Sequence, residues 1–469
     1  MKTRIIKVQK PRGAEGETAF GRWANSSSTE KDRLKELDIW EVPSETEAAA
    51  AAATESILTP LREAGAYLRS SDIPVAFPTE TVYGLGADAT RSAAVKGIYQ
   101  AKGRPSDNPL IVHVCDLSML RGFLQSGPPE TETETIPAIY HPLIARFWPG
   151  PLTILLPNPS PPLSKLAPEV TAGLSTFGCR MPASPLARTL IALARAPLAA
   201  PSANASTKPS PTTAQHVLDD LSGRIELILD GGACAVGVES TVVDGLCDPP
   251  VVLRPGGVSM EEIRGCVGWE AVEKAYKDQA ETGGNKGTAA PRAPGMKYKH
   301  YSPKARVVLY EAGFVGGGGG GGGGGEVLLE EDLETALATT TTAEKGGRTV
   351  AVIRTGRWPA AAGLRTSELK TDSQAQELGD NEDVEVNDAT FVVREGSLLC
   401  SADDTAVARL LDVDLGRDVK GVAHGLFAAL RELDRRGANV IFVEGVNDGD
   451  DIAAAVMNRL RKAASDIRI

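Results

Sequence analysis

A chain of 469 residues, 42% hydrophobic and 24% charged, is long enough for two or three globular domains with real cores. Its formal net charge of −11 excludes holding nucleic acid through bulk charge, because phosphate neutralisation needs a dense basic surface. No run approaches the roughly 20 uninterrupted apolar residues of a membrane helix, and the six cysteines (115, 179, 234, 247, 266 and 400) lack the paired short spacing of a zinc site or redox dithiol.

In chain order, the basic start MKTRIIKVQKPRG is soon followed by acids and a Trp, with no apolar signal core. Residues 1–55 are therefore read as a disordered N-terminal extension, ending in the alanine run Ala48–Ala53. The expected location is cytoplasmic, with a mitochondrial form as the second reading of that basic start. A helix is expected from Ser56 to about Leu68. Short β-type runs then recur at Pro74–Phe77, Leu110–Val114, Leu152–Leu156, Thr176–Cys179, Glu226–Leu229, Thr241–Val243 and Val251–Leu253. Helical segments alternate with them at Ala93–Ala101, Ala187–Ala194 and Thr212–Leu221, which predicts an α/β domain over 56–267. This stretch is close to neutral: residues 56–260 hold 15 Lys+Arg against 17 Asp+Glu.

A polar linker, 268–305, ends in the compact phrase Pro294-Gly-Met-Lys-Tyr-Lys-His-Tyr-Ser-Pro303, too aromatic and basic for a mere spacer. The second domain, 306–469, opens with a strand at Arg306–Tyr310 and another at Thr349–Ile353. It continues with a helix over Gly421–Arg435, a strand at Val440–Val443 and a helix at Ile452–Ala464, a pattern that favours a parallel, Rossmann-like sheet. It is acidic, with 18 Lys+Arg against 28 Asp+Glu over 306–469. Ten consecutive glycines, Gly316–Gly325, read as a surface loop; lacking the Gly-Lys-Ser/Thr ending, they resemble a phosphate loop only superficially. The acidic stretch Asp380–Asp388 reads as a solvated loop.

Five segments of the first domain are dense in glycine, small polar residues and arginine beside an expected strand. They are Pro78-Thr-Glu-Thr-Val-Tyr-Gly-Leu-Gly86, Lys102-Gly-Arg-Pro-Ser-Asp-Asn-Pro109, Thr176-Phe-Gly-Cys-Arg-Met-Pro182, Pro201-Ser-Ala-Asn204 and Glu239-Ser-Thr241, the last followed by Arg254-Pro-Gly-Gly257. Loops at strand ends are where α/β folds place ligands. Guanidinium forks suit carboxylates and phosphates, lysine adds a point charge, and successive backbone N–H groups form anion-binding concavities. Lys102, Arg104, Arg180 and Arg254 thus suggest a pocket for a polyanion and a small polar molecule, against the alternative that these are structural loops. The five histidines (113, 141, 216, 300 and 424) show no metal-ligand spacing, and no serine elbow or Cys–His pairing suggests covalent catalysis. On the residues alone the reading stops at a nucleotide or phosphate pocket that works by positioning and electrostatics.

Taken together, these ordered motifs resemble the threonylcarbamoyl-AMP synthases in their long two-domain form, whose catalytic domain is of the YrdC type. The resemblance covers Ser56 to Val267, the phrase ending at Pro303, and the second domain in outline, including Leu426–Asp434 and Met457–Ala463. It implies a YrdC-type twisted mixed-sheet α/β domain, joined by an ordered linker to a smaller Rossmann-like parallel α/β domain. It implies a nucleotidyltransferase that converts L-threonine, bicarbonate and ATP to threonylcarbamoyl-AMP and pyrophosphate, with Mg²⁺ as the usual counterion. That product supplies the threonylcarbamoyl modification of a tRNA adenosine through a separate transferase complex.

Carried over by motif, Thr81, His113, Arg180, Ala200 and Ser240 would line the threonine site. Arg104, Asn108, Thr176, Ser202, Ser210, Arg254 and the linker residue Tyr301 would hold ATP, while Lys102 and Arg104 would hold bicarbonate and then the carbamate. Tyr301 implies a linker lying across the catalytic cleft. No metal-ligating residue is implied. Glu80 and Glu239 read as loop-orienting groups, and His113, within an apolar run, could be a satisfied core histidine. Two departures from the family pattern stand out: Ala205-Ser206-Thr207 replaces the usual Ser-Gly after Pro-Ser-Ala-Asn, and Phe177 is bulkier than the usual aliphatic residue. The competing class is an RNA-binding or translation-factor module of the same fold, with weak local RNA contact. Carbamoyl transfer is disfavoured because the accompanying acylphosphatase and zinc-finger segments are absent.

Overall fold

A computed structural model describes residues 1–8, 19–25, 30–49, 52–125, 135–159, 163–276, 300–314, 327–338, 347–371, 391–400, 402–449 and 452–469. The chain divides into two units, Met1–Ser206 with Ser210–Tyr298, and Thr207–Pro209 with Lys299–Ile469. The polyglycine run 316–325, the acidic stretch 380–388 and most of the expected linker lie outside the described residues.

The first unit contains β1 (Arg4–Lys7), β2 (Arg22–Trp23), β3 (Trp40–Glu41), β4 (Val75–Phe77), β5 (Gly84–Asp88), β6 (Ile111–His113), β7 (Leu152–Pro157) and β8 (Thr176–Arg180). It continues with β9 (Leu198–Ala199), β10 (Leu227–Asp230), β11 (Thr241–Asp244), β12 (Val251–Arg254) and β13 (Glu273–Lys274). Apart from the antiparallel β2–β3 pair these form one mixed sheet, in the order β1-β10-β4-β5-β9-β6-β8-β7-β11-β12-β13. Alternate residues of a strand face opposite sides. Accordingly Val75, Phe77, Leu227 and Leu229 join one core cluster, while Ala76 and Ile228 join another. A sheet buried on both faces needs strands that are apolar throughout, which is why these runs were legible as strands. Phe177 fits by an edge-to-face contact with Phe123, ring centroids 5.9 Å apart.

The expectation of a disordered N-terminal extension is corrected for the described residues. β1 pairs in parallel with β10, from Arg4↔Leu227 to Lys7↔Asp230, and so satisfies an edge of the sheet. Phe20, Leu37 and Trp40 are buried in the two cores. The charged residues around them dilute the hydrophobic pattern, although those few side chains bury enough apolar surface to dock the segment.

The second unit contains β14 (Arg306–Tyr310), β15 (Thr349–Arg354), β16 (Lys370–Thr371), β17 (Val393–Leu399), β18 (Ala406–Asp414), β19 (Val440–Glu444) and β20 (Asp466–Arg468). Their order is β16-β17-β18-β15-β19-β14-β20. Neighbours from β18 to β20 are parallel, as expected of a Rossmann-like sheet, whereas β16, β17 and β18 form an antiparallel margin. The helix Val419–Arg435 is started by Asp418, whose carboxylate accepts the Gly421 N–H at 2.9 Å.

Candidate functional site

The first unit gathers its polar motifs at strand ends and in the loops that follow. His113 ends β6 and Arg180 ends β8; the two are register partners in the parallel pair, so the sheet itself sets them side by side. The Arg180 guanidinium is 4% exposed and donates to Gly150 O at 3.1 Å, to Thr81 Oγ1 at 2.9 Å and to the Glu80 carboxylate. The other Glu80 oxygen accepts the Ala183 N–H at 3.1 Å, so Glu80 fixes both Arg180 and the turn after it. Thr81 is fully buried, its hydroxyl 2.9 Å from that of Thr79. His113 Nδ1 lies 3.2 Å from Ile111 O. Burial, and then the neighbouring Arg180 cation, push its pKa down to about 3, so the ring is neutral at physiological pH. Ala200 closes this side, its N–H donating to Ile111 O at 2.9 Å.

A second group forms where the helix Ser92–Lys102 stops. Gly103 takes a left-handed φ of 63° that ends the helix, and the N–H of Arg104 turns back to Tyr99 O at 3.1 Å. Lys102, in the last turn, is 2% exposed. Its ammonium donates to Ser202 O, to Asn204 O at 2.6 Å and to Asn204 Oδ1 at 3.4 Å, and Ser202 Oγ lies 2.5 Å from that same Oδ1. Lys102 therefore holds the Pro201–Asn204 turn as well as charging it. Arg104 folds onto its own loop, donating to Asn108 O at 3.4 Å and Pro109 O at 3.1 Å. The Asn108 Oδ1 is buried with no partner among the described residues, the condition of an acceptor that a ligand would satisfy.

A third group joins β11, β12 and the loop before β11. Arg254 donates through Nε and Nη2 to Ser240 O (3.1 and 2.8 Å) and through Nη2 to Ser240 Oγ (3.1 Å), and that hydroxyl lies 2.8 Å from Thr153 Oγ1. Ser210 Oγ donates to Glu239 at 2.5 Å. Gly256 is required here: a Cβ at that position would fall 2.3 Å from Glu239 O and Thr241 N, so only glycine lets the Arg254-Pro-Gly-Gly loop lie against the serine motif.

Main-chain bonds lace the three groups together. Val236 N–H donates to Glu80 O (2.8 Å) and Gly237 N–H to Thr81 O (3.1 Å), while Tyr83 N–H donates to Pro211 O (2.9 Å) and Ala203 N–H to Tyr83 O (2.8 Å). Thr176 begins the strand that Arg180 ends; the even spacing puts both on one face, roughly 13 Å apart at a strand's usual rise. Tyr301 belongs to the second unit, where it stands at φ 66°, 5% exposed, stacked on Phe427 with ring centroids 5.1 Å apart. Sequence reasoning did not single out Gly150 or Thr153 and gave Thr79 and Asn204 no role beyond their place in the quoted motifs, since short-range pattern does not show which loop each would meet. Among the described residues no cluster of three or more His, Cys, Asp or Glu is arranged to hold a metal ion, and no helix is long and apolar enough to cross a membrane.

Residues 68–256 match the family described as Telomere recombination, and residues 258–465 match the family described as Threonylcarbamoyl-AMP synthase, C-terminal domain. The Threonylcarbamoyl-AMP synthase of Schizosaccharomyces pombe is 44% identical over 421 residues, covering 86% of this chain and 88% of that protein. The Pyrococcus abyssi protein of the same name is 38% identical over 406 residues, covering 86% and 94%. The crystal structure of P. abyssi Sua5 complexed with L-threonine superposes with a TM-score of 0.61 at 36% identity, covering 87% of this chain and 95% of that one.

Proposed function

Since this chain belongs to the threonylcarbamoyl-AMP synthase family and makes threonylcarbamoyl-AMP, we propose that it does so as a nucleotidyltransferase acting on L-threonine, bicarbonate and ATP. The amine of threonine combines with bicarbonate, releasing water and leaving a carbamate. A carbamate oxygen then bonds to the α-phosphorus of ATP as the α–β bridging P–O bond breaks, and the electron pair leaves with pyrophosphate. Both reactants are anionic, so the first requirement is fixed positive charge and oriented donors away from water.

The observation that carries this reading is the placing of His113 and Arg180 at adjoining strand ends, with Thr81 of the β4–β5 loop bonded to Arg180. Arg180 spends three of its five N–H groups on described residues, which orients the fork while two N–H groups serve a carboxylate. His113, held neutral, offers a hydrogen bond and neither charge nor general acid–base exchange at neutral pH. Ser240 and Ala200 complete the amino-acid side. Lys102 and Arg104 supply the positive field for bicarbonate and carbamate, Lys102 mainly as a point charge because three oxygens already surround its ammonium. Asn108, Thr176, Ser202, Ser210, Arg254 and Tyr301 are assigned to ATP, with the orphaned Asn108 Oδ1 suited to a nucleotide N–H donor.

The buried carboxylates of this region do not make a cage for Mg²⁺: Glu80 is engaged by Arg180 and Glu239 by Ser210. The ion is therefore assigned to the ATP triphosphate and its waters, and no step here runs through it. The adenylate would pass to a separate threonylcarbamoyl-transferase complex that modifies tRNA.

Purified protein should release pyrophosphate from ATP only when threonine and bicarbonate are both present, and chromatography should reveal labelled threonylcarbamoyl-AMP. Equal ATP turnover with either one omitted would overturn the assignment.

A further inference from the structure

The side chain of Arg188, in the helix Pro185–Ala194, is buried against two tryptophans from the start of the chain. Its guanidinium carbon lies 4.2 Å from the ring centroid of Trp40 and 5.3 Å from that of Trp23, and the two rings meet edge to face with centroids 5.0 Å apart. Both tryptophans lie ahead of the segments that match either family. This cluster of two rings and a guanidinium is anchored on several sides. Trp40 donates through its indole N–H to Thr189 Oγ1 at 3.1 Å and through its backbone N–H to Asp116 Oδ2 at 3.2 Å, and Thr189 donates to Phe20 O at 2.7 Å.

The guanidinium turns its Nη1 donors onto Pro182 O (2.9 Å) and Ala183 O (2.7 Å). Ala183 in turn gives its N–H to Glu80, which holds Arg180. One continuous path therefore leads from Trp40 of the β2–β3 pair to the Arg180 fork, and every link is a cation–π contact or a directed hydrogen bond. A guanidinium is suited to this place because it stacks on aromatic faces and still aims N–H groups in its plane, which an ammonium cannot do.

We propose that Arg188, clamped by Trp40 and Trp23, is a positioning residue for the amino-acid substrate: it fixes the Pro182–Ala183 turn, and through Glu80 it sets the angle at which Arg180 meets the substrate carboxylate. The N-terminal segment is thereby part of the catalytic unit's machinery for threonine. The inference rests on the assignment of Arg180 to threonine.

The test uses the full chain in the pyrophosphate-release assay, titrating threonine and ATP separately. Arg188→Lys and Trp40→Ala should each raise the threonine KM about 3- to 10-fold while the ATP KM stays within about twofold, and Trp40→Phe, which keeps an aromatic face, should restore most of the loss. Combining Arg188→Lys with Glu80→Gln should add little to the worse single variant, because both cut one path. An unchanged threonine KM in folded Arg188→Lys, or equal rises in both KM values, would overturn the proposal. If Trp40→Ala does not fold, Arg188→Lys and the double variant still decide it. Arg180→Ala run alongside separates the two failures. If it leaves threonine affinity intact, the threonine assignment falls; if it weakens threonine and the Arg188 variants do not, only the positioning role falls.

Discussion

Arg180 at the end of β8 and Glu444 at the end of β19 are both charged, both nearly sealed from water, and both placed where a strand of an α/β sheet gives way to a loop. Their surroundings differ. The Glu444 carboxylate, 0% exposed, accepts the successive main-chain N–H groups of Thr355 (2.6 Å), Gly356 (3.1 Å), Arg357 (2.8 Å) and Trp358 (3.1 Å), and also Arg357 Nε at 3.1 Å. Such a run of N–H groups after a central parallel strand is a concavity that could cradle a phosphate. Here the protein's own side chain fills it, and a carboxylate has only about four lone-pair sites to offer. Among the described residues Arg180 meets three acceptors, fewer than its five N–H groups allow. Topology alone therefore does not leave a strand end open to a ligand; that depends on whether its donors are already used by the chain itself.

This contrast can be broken or sharpened by substitution. The largest expected effect is on Glu444→Ala, which strands four main-chain donors, those of Thr355 and Trp358 buried, and should cost about 3–5 kcal/mol of stability, read from the urea midpoint. A midpoint close to the parent's would mean the loop does not depend on that carboxylate. Next is Arg180→Ala, which should weaken threonine binding by roughly 2–4 kcal/mol in calorimetry on the folded variant, and should also lower the urea midpoint because Glu80 loses its buried ion-pair partner. Unchanged threonine affinity would remove Arg180 from the site.

A smaller effect concerns pH. His113 has its pKa depressed to about 3, so the unfolded chain binds this proton below its ordinary value near 6.5 while the folded chain does not. Stability contributed by the neutral ring is complete above that ordinary value and declines as pH falls toward 3, by at most about 1.4 kcal/mol per pH unit. Replacing His113 by Asn should flatten that part of the stability–pH curve, and an identical slope in parent and variant would refute the assignment. The least effect belongs to Arg357→Ala. This side chain is half exposed, so losing it should cost under about 1 kcal/mol because the main-chain N–H groups still hold Glu444. A loss as large as that of Glu444→Ala would show the side chain, and not the loop backbone, to be the anchor.

Much of the architecture was legible because burial on both faces forces apolar runs. The strands at Arg306–Tyr310 and Val440–Glu444 and the helix at Ile452–Ala463 lie within a residue of their expected bounds. β5, Gly84–Asp88, was not legible, since its glycines read as part of a loop. In the structure that strand pairs with β4 and β9, and the Gly86 Cβ position lies 2.6 Å from the Phe77 ring, so small residues there are a packing requirement. The antiparallel margin of β17 and β18 escaped notice as well. The register of that pair is decided by long-range partners, which a window of sequence does not contain.

Which motifs are dense in glycine, small polar residues and arginine, and near which strand ends they lie, was written in the chain's local pattern, because periodicity and glycine-rich turns are short-range properties. Which loops meet was decided by the tertiary structure alone. Arg180 finds Glu80 and Thr81 about a hundred positions earlier in the chain, and Trp40 closes on Arg188 from an N-terminal stretch that composition marked as disordered. Contacts of that separation depend on how a whole sheet orders its strands, and no segment read by itself holds that information.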